Sequence, residues 1–148
     1  VSKIVDFLEG RGVDDAGRSL SDVLAFGAAD LERHHDFIQW IFPLSEASQA
    51  VAGAPVLSDG DIETLKASGQ AQASLTQAAE LMGVFYDKTD HWMRANDHNH
   101  LRITRIIKSL RLLSGDRPAD RFRARIMARV DQDKAPVNAL TRAYWTAA

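Results

Sequence analysis

Five histidines, His34, His35, His91, His98 and His100, are the only side chains that could serve as soft metal ligands, because the 148-residue chain has no cysteine. The same absence excludes disulfides, thiolate nucleophiles and iron–sulfur clusters. His34 and His35 are neighbours, so on a helix they point about 100° apart and cannot close on one ion as an i, i+4 pair does. His98 and His100 meet the same obstacle. A metal site would need assembly in three dimensions with Asp36, Asp90 or Asp97, so the reading is no metal, with His35 as a core histidine and the others as capping or surface groups. Asp14 and Asp15 are adjacent carboxylates, but inside the glycine-rich run GRGVDDAGRSL they are more simply explained by hydrogen bonds to nearby backbone amides than by acid/base chemistry. The chain has no nucleophile elbow, phosphate-cradling glycine loop, zincin helix or EF-hand loop, and Gly10, Gly12 and Gly17 miss the dinucleotide spacing. No enzyme activity and no cofactor are therefore expected.

Arginine is the other residue type that could do chemistry, since its planar fork pairs with carboxylate or phosphate. In HLRITRIIKSLRLL, helical spacing puts Ile103, Ile106, Ile107, Leu110 and Leu113 on one face and fans Arg102, Arg105, Lys108 and Arg111 over the other. In DRFRARIMARV, Arg121, Arg125 and Arg129 recur every four residues beside Phe122, Ile126 and Val130. A nucleic acid or other polyanion could lie across Lys108, Arg111, Arg121, Arg125 and Arg129, bound non-specifically through its backbone. The plainer reading is a solvated face, or arginines paired to the acidic part of the chain. Residues 1–100 carry 7 Lys or Arg against 16 Asp or Glu, and residues 101–148 carry 11 against 4, so the two stretches are −9 and +7 within a net charge of −2. Nucleic acid is thus a possible partner but not the favoured one.

Aromatic side chains supply the third candidate. Trp40, Phe42, Tyr86 and Trp92 read first as core, with the polar atom of each Tyr and Trp needing a partner. A crevice lined by them and rimmed by arginine would suit a peptide, a small amphipathic molecule or a protein segment. The candidate ligand-binding set is His35, Trp40, Trp92, Arg102 and Arg105, placed between the Trp40 helix and the Arg102 helix.

These residues must be positioned by helices. Ile4, Val5, Phe7 and Leu8 make a short one, the glycine-rich run an ordered loop, and Leu20–Phe26 a second short helix capped by Ser19 or Ser21. A longer helix is expected over about 28–42, ending before Pro43, with Leu31, His35, Ile38 and Phe42 in one row. The stretch over 43–60 reads as the longest surface loop. Ser58 with Asp61 starts a helix to about Ala67, and another runs over about 70–86 after a gap at Ser68 and Gly69 that reads as a kink. Residues 87–97, with Trp92, connect to a helix from about 98 to 113 that Gly115 stops. Pro118 starts one over about 119–130, and Pro136 precedes a last one reaching Trp145. No hairpin signal and no repeat occurs.

The expected fold is therefore all-α, a single globular bundle of about six to eight helices over 1–148 with no β-sheet. Hydrophobic residues at 45% and charged residues at 26% fit that class. No uncharged run reaches the ~20 residues that a spanning helix needs, and the one over 47–58 contains Gly53 and Pro55. The first residues lack the basic-then-apolar pattern of a targeting peptide, so the expectation is a soluble, intracellular, cytoplasmic protein.

Three blocks carry a family resemblance: GVDDAGRSLSDVLAF at 12–26, LERHHDFIQWIFPLSEAS at 31–48 and NHLRITRIIKSLRLL at 99–113, with LMGVFYDKTDHWM between the last two. Together they resemble the conserved domain of the opioid growth factor receptor family over most of 1–115, leaving 116–148 as extra C-terminal helices. The resemblance implies an all-α, receptor-like module. For the animal receptor it implies binding of an enkephalin-type opioid peptide, restraint of cell proliferation and a perinuclear and nuclear location. The run at 45–58 is shorter than in the animal proteins, and their long downstream region has no counterpart here, a pattern similar to a stand-alone bacterial member. No catalytic or ligand-contact residue carries over position by position. The expected function is a non-enzymatic ligand-, peptide- or protein-binding module.

Overall fold

Short polar side chains begin most of the helices, each accepting a backbone N–H that the first turn leaves without a partner. Ser2 accepts from Val5 at the start of α1 (Lys3–Leu8). Ser19 and Asp22 form a reciprocal capping box on α2 (Leu20–Leu24), and Ser58 and Asp61 form another on α5 (Asp59–Ala67). Asp97 caps α7 (His98–Ser114) and Asn138 caps α9 (Ala139–Ala147). The remaining helices are α3 (Ala28–Arg33), α4 (Ile38–Ile41), α6 (Gly69–Lys88) and α8 (Asp116–Gln132). This computed structural model describes residues 2–148, and among them there are nine helices and no strand. The all-α reading holds. The helix count reaches nine because the long helix expected over 28–42 is two short ones.

That break is a correction with an identifiable cause. His34 leaves helical geometry with ψ 137°, and the segment up to Phe37 is turned by side-chain demands from elsewhere. Phe37 is fully buried, edge-on to Phe26, while Asp36 stays on the surface and accepts from Arg18. A continuous helix would hold those two adjacent residues about 100° apart on one rod. His35 consequently lies on the surface and is not a core histidine. The gap at Ser68 is likewise a true end of α5, with ψ 113° and its hydroxyl accepting from Ala71 in the next helix. Pro118 sits inside the first turn of α8, where a missing N–H costs no hydrogen bond, so α8 begins at Asp116 and not after the proline.

The chain divides into two compact units, Val1–Ala78 and Ala79–Ala148, with the division inside α6. In the first, α1 packs on α4 and α5, Phe7 meets Trp40 edge-on with ring centroids 5.3 Å apart, and Ser74 Oγ donates to the Leu8 carbonyl at 2.6 Å. The loop over 43–58 is tied by a single bridge between Leu44 and Val56. In the second, α7 packs on α8 and on α9, burying Ile103, Ile106, Ile107, Leu110 and Leu113 of the first helix and Phe122, Ile126 and Val130 of the second. Gly115 alone joins α7 to α8, at φ 103° and ψ −178°, a conformation essentially reserved for glycine.

Candidate functional site

In the first unit the glycine-rich loop builds a tight charged cluster. Asp14 is buried, and its Oδ1 accepts from the backbone N–H of Ala16 and of Arg18, each at 2.9 Å, which is the local hydrogen bonding expected of an aspartate in such a turn. Arg18 Nε donates to Asp14 Oδ2 at 2.7 Å, and Nη2 donates to Asp36 at 2.9 Å. Partial burial works against the Arg18 charge, but the two carboxylates outweigh it and hold the guanidinium still more firmly protonated. Its Cζ stands 5.7 Å from the Phe26 ring centre, and Phe26 stacks on His34 at 5.2 Å. One arginine therefore pins the loop, the end of α2 and the α3–α4 break together. Beside it Lys3, Asp6, Gly12, Val13, Asp14 and Asp15 line a small open cavity of about 190 Å³. Of the predicted ligand residues in this unit, Trp40 is buried against Phe7, and His35 is exposed.

In the second unit the polar residues around Trp92 form a connected network. Trp92 is fully buried, with Nε1 donating to the Thr89 carbonyl at 3.0 Å. The Trp92 carbonyl lies 2.8 Å from His100 Nε2, which must carry the proton since a carbonyl can only accept. The His100 carbonyl accepts from Trp145 Nε1 at 3.1 Å, and the two rings meet edge-on. Tyr86 donates to Asn99 Oδ1 at 3.0 Å, and Asn99 Nδ2 donates to Asp97 Oδ1 at 2.9 Å. Burial pushes the Asp97 carboxyl up, but the Asn99 backbone and side-chain hydrogen bonds, His98 and Arg94 together hold it below its usual range. This network fixes the connection over 87–97 to the start of α7 and to the last turn of α9. Sequence reading missed Asn99, His100 and Trp145, and placed His100 among capping or surface groups. It is buried instead.

Arg102 departs from expectation in the same way. It is 6% exposed and not on the wet face. The cause is readable in the helix itself, since Arg102 shares an i, i+4, i+7, i+11 row with Ile106, Ser109 and Leu113, all buried. The outer row of α7 is Leu101, Arg105, Lys108 and Leu112. Leu101 and Lys108 are exposed, and Arg105 and Leu112 are half-buried.

The cations proposed to line up for a polyanion are largely engaged by carboxylates of their own unit. Arg111 donates to Asp116 and Asp120, each at 2.8 Å, and Arg123 shares Asp120. Arg125 reaches back to Asp87 at 2.7 Å and Glu80 at 3.0 Å on α6. Arg129 donates to Asp133 and to the carbonyls of Tyr86 and Asp87, covering the carbonyl end of α6. Arg121 and, on α7, Lys108 are exposed. Among the described residues, no group of three His, Asp or Glu is placed to hold a metal ion, and no helix is long and apolar enough to cross a membrane.

Residues 26–91 match the opioid growth factor receptor (OGFr) conserved region. The match takes in 66 of the 148 residues, somewhat less than half of the chain. The chain is 36% identical over 98 residues to opioid growth factor receptor of Mus musculus, covering 54% of this chain and 15% of that one. It is 36% identical over 98 residues to the Homo sapiens receptor, covering 54% and 14%, and 36% over 97 residues to opioid growth factor receptor-like protein 1 of Mus musculus, covering 54% and 21%. The chain thus matches only a minor part of these relatives' length. The alignment is longer than the share of this chain it takes in, so the relatives carry insertions within it. No solved structure matches. The matched OGFr region holds the α3–α4 break, Trp40, α5 and α6, and ends before α7.

Proposed function

We propose that this chain is a non-enzymatic binding module of the opioid growth factor receptor type, taking a peptide or protein segment as its ligand. The observation that carries the reading is the OGFr conserved region, shared at 36% identity with proteins named as receptors. The geometry agrees with it. The buried polar groups described, Asp14, Asn99 and His100, are committed to holding loops and helix starts in place, which makes a rigid scaffold and leaves recognition to the surface.

The test is to pan the intact chain against a displayed library of random peptides and titrate the enriched sequences in solution by fluorescence anisotropy. An enkephalin-type opioid peptide among the titrants asks whether the relatives' receptor name extends to this chain. Saturable one-to-one binding of at least one peptide supports a peptide-binding module. Failure of every enriched peptide to titrate, or turnover of a bound peptide by the chain, overturns it.

A further inference from the structure

We infer that the outer face of α9 is a self-association surface, on which a second copy of this chain docks antiparallel across a two-fold axis. Leu140, Ala143, Tyr144 and Ala147 are all exposed, and their i, i+3, i+4, i+7 spacing makes one apolar row. Trp145 is the buried residue of this helix, its Nε1 donating to the His100 carbonyl on α7. At about 100° per residue, the row lies on the side of α9 away from Trp145. The helix therefore has two apolar sides, one packed on its own unit and one left open. Leu140, at 62% exposure, and Tyr144, at 57%, stand one turn apart and are two of the five large apolar residues exposed among the described residues. The surface does not depend on which ligand the module takes.

The order of the side chains selects the occupant. An isologous pair requires one face to complement itself under a two-fold rotation. With the axis between Ala143 and Tyr144, Leu140 meets Ala147 of the second copy and Ala143 meets its Tyr144, so every large side chain faces a small one. A parallel pair would instead set Leu140 on Leu140 and Tyr144 on Tyr144. Charge agrees with the antiparallel pairing. The row carries no charge, so two copies meet without repulsion, and Arg142, the one charged residue of α9, stands off the row and donates to Asp131 at 2.7 Å. Antiparallel alignment also places the N-terminal end of one helix beside the C-terminal end of the other, where their dipoles attract. An anionic membrane or a nucleic acid would call for several free cations on this helix, and its single arginine is already paired. A nine-residue helix is about 14 Å long and about 10 Å wide, so its face falls well short of the roughly 800 Å² per partner of a stable interface. The dimer is accordingly reversible, with an expected dissociation constant of about 0.1–1 mM.

The experiment is sedimentation equilibrium of the intact chain up to about 1 mM, a range that brackets the expected dimer. Tyr144→Glu should weaken the dimer about tenfold or more, and Val13→Ser, which removes an exposed apolar side chain in the other unit, should leave it unchanged. Tyr144 is exposed, so the variant should keep the wild-type circular dichroism and the melting temperature of the dilute chain. The chain has no cysteine, so single-cysteine variants report the register. In a glutathione redox buffer, Leu140→Cys mixed with Ala147→Cys should form the mixed disulfide, identified by its mass. Leu140→Cys alone should not link to itself, because its two copies lie about 10 Å apart along the helices, beyond the reach of a disulfide. Self-linking of Leu140→Cys would mean a parallel pair and overturn the antiparallel assignment. A dimer that survives Tyr144→Glu would overturn the surface. A chain that is monomeric at every concentration overturns the second copy, and loss of binding of the enriched peptides on Tyr144→Glu would then give the row to a foreign segment.

Discussion

Arg125 lies over the backbone of α6 at Gly83, with its guanidinium where a side chain at residue 83 would begin: a Cβ there would stand 2.7 Å from Arg125 Cζ. The arginine is held in that place by Asp87 and Glu80, one turn to either side of the glycine. Two effects then oppose each other in Gly83→Ala. Alanine gains about 1 kcal/mol in helix propensity, while displacing Arg125 forfeits half-exposed ion pairs worth about 0–1 kcal/mol. The single variant should therefore melt close to wild type. In an Arg125→Ala background the same change should stabilise by about 1 kcal/mol, and a double-mutant cycle by urea denaturation reads the difference. A purely additive cycle would show that Arg125 does not occupy that position.

Asp97 should make stability depend on acid. Its folded-state carboxyl sits below the ordinary Asp value of about 3.9, so its contribution is fully present above that pH and is lost as pH falls through the lower folded value. Asp97→Asn keeps an acceptor for the Asn99 N–H but removes the charge. Its stability should fall less steeply than wild type between pH 5 and pH 2, a range of about three units spanning the expected titration. Asp97→Ala also loses the cap and should cost about 1 kcal/mol or more at neutral pH.

Tyr86→Phe should destabilise by about 1–2 kcal/mol, because it removes the hydroxyl that donates to Asn99 Oδ1, and Asn99 is fully buried. Tyr86→Phe combined with Asn99→Leu should recover part of that loss, since the stranded acceptor disappears with its donor. Chemical denaturation of the three variants separates a buried hydrogen bond from simple packing.

Asp14→Ala should cost about 2–3 kcal/mol, the loss of charge-assisted bonds from Arg18 and two backbone amides at a buried position. Asp15→Ala, one residue away and exposed, should change little. The pair separates the local-turn reading of these two carboxylates from any joint role.

How much of this can be read from sequence depends on the range of the forces involved. The starts of α2, α5 and α7 are legible because Ser19, Ser58 and Asp97 act within their own first turn. The apolar arc of α7 is legible because helical periodicity is local, and the same row that buries Ile106 and Leu113 reveals Arg102 once its width is counted. The α3–α4 break is not legible. Leu31, His35, Ile38 and Phe42 satisfy a helical row, and the forces that defeat it come from Phe26 and Arg18, which no window around His35 contains. His100 and Trp145 lie 45 positions apart, and their hydrogen bond likewise leaves no mark on either segment. The proposed ligand set divides between the units, with His35 and Trp40 in the first and Trp92, Arg102 and Arg105 in the second.

The single-residue joint at Gly115 bears on folding speed. Because α7 and α8 are neighbours in sequence and pack on each other, joining their faces closes almost no loop, and the entropy lost before the first contacts form is small. Topologies dominated by such near-neighbour contacts fold in microseconds to milliseconds. This hairpin is accordingly the natural nucleus of the second unit, and Gly115→Val, which forces a branched residue into the conformation reserved for glycine, should slow refolding more than it speeds unfolding.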